Sequence, residues 1–113
     1  MRRSILAALL LCCSPAAPAL AGGGAMVAGD AASGRVIAEQ NCSGCHAIGR
    51  SGDSPQASAP PMRRFHENWP VEALGEALAE GVVVGHSDPQ MPAFRFDPED
   101  IDDLLAYIAS LEN

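Results

Sequence analysis

Cys42-Ser43-Gly44-Cys45-His46 is a pattern with few chemical uses. Two thiols three positions apart can close a disulfide, act as a dithiol redox pair, supply half of a zinc site, or add across the two vinyl groups of a haem. The histidine directly after the second cysteine favours the last of these. Thioether formation at Cys42 and Cys45 brings His46 up beneath the iron, and the small Ser43 and Gly44 let the chain turn against the porphyrin. A thioredoxin-like dithiol asks for alternating strands and helices and a longer chain. A zinc site asks for a second ligand pair at matching spacing, whereas His66 and His86 stand alone.

Upstream of the motif, the first residues have the three parts of a secretory signal peptide. Met1-Arg2-Arg3 is a short positive start, residues 5–13 are almost unbroken apolar sequence, and Ala19-Leu20-Ala21 is a small-x-small cleavage site before a glycine cluster. The apolar run is shorter than the roughly 20 residues that a helix needs to cross a bilayer, so cleavage after Ala21 is expected rather than anchoring. Leu11 before Cys12 is not the small residue that lipoprotein processing prefers, so Cys12 and Cys13 are expected to leave with residues 1–21. Residues 22–29 are Gly/Ala-rich and read as a flexible lead-in. Residues 30–113 make one small domain.

Cleavage removes Arg2 and Arg3 and leaves five arginines against fourteen acids, a net charge of −9 with histidines neutral. The chain has no lysine. Such a surface is repelled by nucleic acid and by anionic membranes, so neither is an expected partner. A domain of this size buries only about 60–65% of its unfolded surface. A buried cofactor would supply core that the side chains lack.

The remaining segments read as helices and loops. Asp30 can cap a helix over residues 31–41, with Val36, Ile37 and Ala38 as its buried side, and this helix delivers the cysteines. Residues 47–61 turn to Gly, Ser, Pro and Asp with no apolar period, a loop on the histidine side. Residues 70–80 return to helix, with Pro70 in the first turn and Gly81 at the end. Leu74 and Leu78 share one side of it, and Glu72, Glu76 and Glu80 form a solvated stripe on another. Residues 85–92 are a further loop. Asp97 then caps a last helix, with Pro98 at its first position and Glu99 and Asp100 in its first turn, and Ile101, Leu104, Leu105, Ile108 and Leu111 make its apolar face.

A haem iron held by His46 has a sixth position, and its occupant decides between carrying electrons and binding small molecules. The candidates are Met26, Met62, Met91, His66 and His86. Met26 lies in the lead-in, and Met62 follows Pro60-Pro61 too soon after the motif to have left the histidine side. Met91 lies in a loop far enough downstream to have crossed, with Pro92 stiffening the backbone beyond its sulfur. The layout favours Met91, with His86 as its main competitor and simple apolar packing as the ordinary use of a methionine.

With these features, residues 30–111 resemble the class I cytochromes c, and more narrowly the short bacterial periplasmic members. The resemblance rests on Cys42-Ser43-Gly44-Cys45-His46, on Met91-Pro92 and on Leu104-Leu105-Ala106-Tyr107-Ile108. Gly34 matches the glycine at which the first and last helices of that family cross, with Tyr107 as its aromatic neighbour. Ala59-Pro60-Pro61-Met62 is similar to the family's proline turn, which implies that the Pro60 carbonyl accepts a hydrogen bond from the His46 ring. Trp69 sits near the family's propionate partner, and Arg50, Arg63, Arg64 and Arg95 are further propionate candidates. Ala38 stands where relatives often carry an aromatic residue.

The resemblance implies an all-α fold of three to four helices and loops wrapped around one covalently attached haem c, with His46 and Met91 as axial ligands. It implies outer-sphere transfer of single electrons by a periplasmic, monomeric carrier that is not itself an enzyme, and redox protein partners, of which a basic docking surface would suit this charge. The alternatives are an electron-accepting subunit of a larger periplasmic dehydrogenase or oxidase, and a haem sensor or enzyme with an open sixth site.

Overall fold

The computed structural model describes residues 27–81 and 91–112. The expected leader, Met26, the run 82–84 and His86 lie outside the described residues. Within them the fold is all-α, with α1 (Ala31–Asn41), a 3-10 helix (Met62–Glu67), α2 (Val71–Glu80) and α3 (Pro98–Ser110). No strand occurs among the described residues.

Helix α1 begins where Asp30 accepts a hydrogen bond from the Ser33 N–H at 2.7 Å, satisfying one of the free donors of the first turn. It ends where the Cys42 and Ser43 N–H groups both donate to the Ala38 carbonyl, at 2.9 and 3.0 Å. Two last-turn carbonyls find side-chain donors: Asn41 Nδ2 donates to Ile37 at 2.9 Å and Ser43 Oγ to Glu39 at 2.6 Å. The helix therefore stops, with the Ile37, Ala38 and Glu39 carbonyls satisfied, just where the cysteine motif begins.

Helix α3 packs across α1 at backbone distance. A Cβ on Gly34 would fall inside the Asp103 carbonyl and against Tyr107 Cβ, so only glycine permits the approach. The Asp30 N–H donates to Asp103 Oδ1 at 2.6 Å and fixes the register of the two helices. Around this crossing lie Ala38, Cys42, Met62, Leu104, Tyr107, Ile108 and Leu111, a single buried cluster. The crossing also corrects one expectation. Val36, assigned to the buried side of α1, is 49% exposed, while Gly34 and Ala38 are buried. With α3 seated on the small-residue face, the helix turns Val36 toward solvent.

At α3 the proline stands in the first turn as expected and the Ile101 N–H donates to the Asp97 carbonyl at 3.1 Å, but the Asp97 side chain makes no capping bond. At α2 the correction is one residue: Pro70 occupies the cap position, before the helix. Gly81 ends α2 in the left-handed region, φ 71°, a conformation that costs glycine little. Leu74 and Leu78 pack partly buried on the core, and Glu72, Glu76 and Glu80 are exposed. The 3-10 helix after Pro60-Pro61 was not foreseen, because residues 62–67 have no apolar period; Met62 alone is buried there. No helix among the described residues is long and apolar enough to cross a membrane.

Candidate functional site

The cysteine motif folds as a tight turn closed on one carbonyl. The Cys45 and His46 N–H groups both donate to the Cys42 carbonyl, at 3.1 and 2.9 Å. Both thiols are free, Cys42 buried in the core cluster and Cys45 exposed. Burial pushes the Cys42 thiol up to about 11. Redox dithiols and zinc ligands act as thiolates, and Cys42 is held away from that form at neutral pH. Among the described residues no group of three or more His, Cys, Asp and Glu side chains comes together as a metal site.

His46 is held from two sides. Its Nδ1 lies 2.7 Å from the Pro60 carbonyl, which can only accept, so the proton sits on Nδ1. The neutral ring then keeps an unshared pair on Nε2, the form that binds a metal. Phe65 meets the ring edge-on, centroids 5.4 Å apart at 87°, and Trp69 meets Phe65 in the same manner at 6.2 Å and 84°. Trp69 itself is 39% exposed.

The loop 47–61 brings Pro60 back to the motif because it is tied along its length. The Gln56 N–H donates to the Cys45 carbonyl at 3.1 Å, the Ala47 N–H to Ser54 Oγ at 3.0 Å, and the Met62 N–H to the Ala47 carbonyl at 2.9 Å. Tyr107 Oη donates to the Ile48 carbonyl at 2.7 Å, linking this loop to α3. The aromatic neighbour of Gly34 thus has a second task, which its spacing alone did not show. Phe65 was also missed, although the Phe65/Trp69 pair, four residues apart after a proline turn, was a usable signal.

The remaining candidates differ in burial and in their contacts. Met62 is 3% exposed and committed to the core. His66 is exposed on the 3-10 helix. Met91 is half-buried, and in the irregular stretch that runs from it to Asp97, Phe94 and Phe96 stack with centroids 5.4 Å apart. Of the arginines, Arg64 pairs with Glu67 at 2.8 Å, and Arg50 Nη2 donates to the Ser110 carbonyl at 2.6 Å. Arg95 is exposed. Arg63 differs: its Nη1 is buried and has no hydrogen-bond partner among the described residues.

Two unpaired thiols in a turn, an imidazole held in the metal-binding tautomer and an arginine with one buried, unpartnered donor fit a haem: thioethers at Cys42 and Cys45, iron at His46 Nε2, and carboxylates for a cation. The comparisons agree. A relative described as "Cytochrome c oxidase subunit 2", from Alkalihalophilus pseudofirmus (strain ATCC BAA-2126 / JCM 17055 / OF4), is 34% identical over 86 residues, which is 69% of this chain. The chain spans only 24% of that relative's length. No solved structure matches significantly. The model of the family described as Cytochrome c matches residues 31–112, from the first residue of α1 to beyond the end of α3. The chain therefore belongs to the cytochrome c family, as a class I c-type cytochrome, whose members bind haem c covalently and transfer electrons.

Proposed function

We propose that this chain is an exported, periplasmic carrier of single electrons, with one haem c joined to Cys42 and Cys45 and its iron ligated by His46 and Met91. The observation that carries the reading is the His46–Pro60 contact of 2.7 Å, which orients the ring and leaves Nε2 ready for iron. Bound haem supplies the one-electron chemistry, the Fe(II)/Fe(III) couple. The Pro60 carbonyl keeps the ring fixed and raises its basicity as a ligand. A Met91 sulfur would favour the reduced, less charged iron and so raise the potential. Trp69 is a candidate for a propionate contact. Electron transfer asks for no general base and no nucleophile, so the polypeptide is not an enzyme by itself.

The sixth ligand is the test. Met91→Ala should abolish the methionine-to-iron band of the ferric spectrum, lower the potential and let small ligands bind iron, while Met62→Ala should do none of these. Equal losses from both would leave Met91 without support. A loss confined to His86→Ala would mean two histidine ligands, and wild-type iron that is five-coordinate would point to a sensor or enzyme.

A second reading has one observation in its favour. The matched relative is an oxidase subunit in which the similar region is a minor part, so a domain of this kind can serve inside a larger electron-transfer assembly. Co-purification with a catalytic partner would distinguish a subunit from a free, monomeric shuttle.

In either case the partner is a redox protein, and the charge of −9 favours one that is basic around its own redox centre. The rate of transfer should then fall as ionic strength rises past about 0.1 M. A rate that rises with salt would show an acidic partner.

A further inference from the structure

We propose that Arg63 is the residue that binds a haem propionate, an inference that rests on the haem-carrier reading above. An arginine is always charged, and its donors are rarely left buried without a partner. Arg63 Nη1 is in that position. The two ion pairs of the described residues go to other arginines, Arg35 with Glu39 and Arg64 with Glu67. Arg35 is on α1, and its pair is solvent-exposed. Arg50 reaches α3, and Arg95 stands in solvent.

The place of Arg63 in the chain supports the choice. It follows Pro60, whose carbonyl touches His46, and Met62, whose N–H donates to Ala47 directly after the motif and whose side chain lies in the core. The same short segment therefore orients the histidine, closes the core and carries a half-buried arginine whose Nη1 is covered and has no partner among the described residues. No carboxylate of the described residues meets that donor. A haem brings two carboxylates to this site, and the planar fork of a guanidinium matches a carboxylate with two parallel hydrogen bonds. A covered donor left unpaired costs stability, and a propionate oxygen would satisfy it.

The test uses the mature, haem-loaded protein. Mass and the haemochrome spectrum first establish covalent haem; a wild-type chain without it would overturn the carrier reading and the present proposal together. With haem attached, Arg63→Gln should shift the propionate bending modes in the resonance Raman spectrum. It should also lower the midpoint potential, since a nearby cation favours the added electron. Arg63→Lys should retain part of the potential but not the mode positions, because an ammonium lacks the planar fork. Arg64→Gln should leave the modes in place. Propionate modes unmoved in a folded, haem-bearing Arg63→Gln variant would overturn the proposal. If that variant does not fold, the wild-type protein labelled with nitrogen-15 decides: slowly exchanging Arg63 Nη protons that shift between ferric and ferrous states support it, and fast exchange in both states overturns it.

Discussion

The α1/α3 crossing and the α2 region are built on different principles. At the crossing, two helices touch backbone to backbone over Gly34, and Leu104 and Ile108 beside it are each 2% exposed. In α2 no residue is fully buried, and its best apolar side chains, Leu74 and Leu78, are only partly covered. One half of the domain is tightly packed, whereas the other presents a helix whose apolar side is only partly covered among the described residues. On the proposed reading, the polypeptide holds the histidine side and the bound haem would add cover on the other. If haem covers that side, as the proposed function has it, cofactor attachment and the last part of folding should be one event.

The most severe way to break the contrast is to remove the attachment. In Cys42→Ala/Cys45→Ala, hydrogen exchange should show α2 amides losing protection first and most, with α1 and α3 amides keeping a remnant. Equal loss in all three helices would remove the distinction, and a fully folded haem-free chain would refute the cofactor's part in the core. The crossing itself is attacked by Gly34→Val, which drives a branched side chain into the Asp103 carbonyl. A loss of about 4 kcal/mol in chemical denaturation is expected, at the upper end for single substitutions.

Truncations on the two sides should differ in size. Leu104→Ala empties a site that is 2% exposed and should cost about 3 kcal/mol. Leu78→Ala, on partly covered α2, should cost about 1 kcal/mol. Equal costs would mean that α2 is packed as tightly as the crossing.

The mildest probe is pH. The Ser33 N–H holds the Asp30 carboxyl below its ordinary value of 3.8, so its contribution to the start of α1 is present above that value and lost as pH falls through the lowered one. Asp30→Ala should lower the melting temperature by a few degrees at neutral pH. The gap to wild type should narrow in acid below 3.8; a gap that widens there would contradict the cap.

The parts legible in the sequence were those set by local chemistry. The bounds of α1, the apolar face of α3 and the glycine end of α2 follow from caps, periods and one left-handed position. The cysteine turn was legible for the same reason, since three side chains within five residues must share one turn. Val36 was misjudged because both faces of α1 carry small or apolar residues, and only the arrival of α3 chooses between them. The 3-10 helix and Phe65 were missed because their positions depend on the return of the loop from Pro60 to His46, a contact across fourteen residues with no local period. Arginines could not be ranked from the sequence for a related reason. What separates Arg63 from Arg64 is which one finds Glu67, a matter of side-chain direction.

The loop between Ala47 and Pro61 is tied on both sides of one exposed bend, through Ile48 and Arg50 before it and Ser54 and Gln56 after it, while Ser51, Gly52 and Asp53 are exposed. That bend is thus free to vary in length while the flanking ties remain. Doubling the length of a flexible loop adds only about 0.6 kcal/mol to the cost of closing it. A spliced Gly/Ser segment between Ser51 and Gly52 should leave haem content and potential unchanged, so this bend is the natural place to graft a tag, a surface linker or a second domain without disturbing the redox centre.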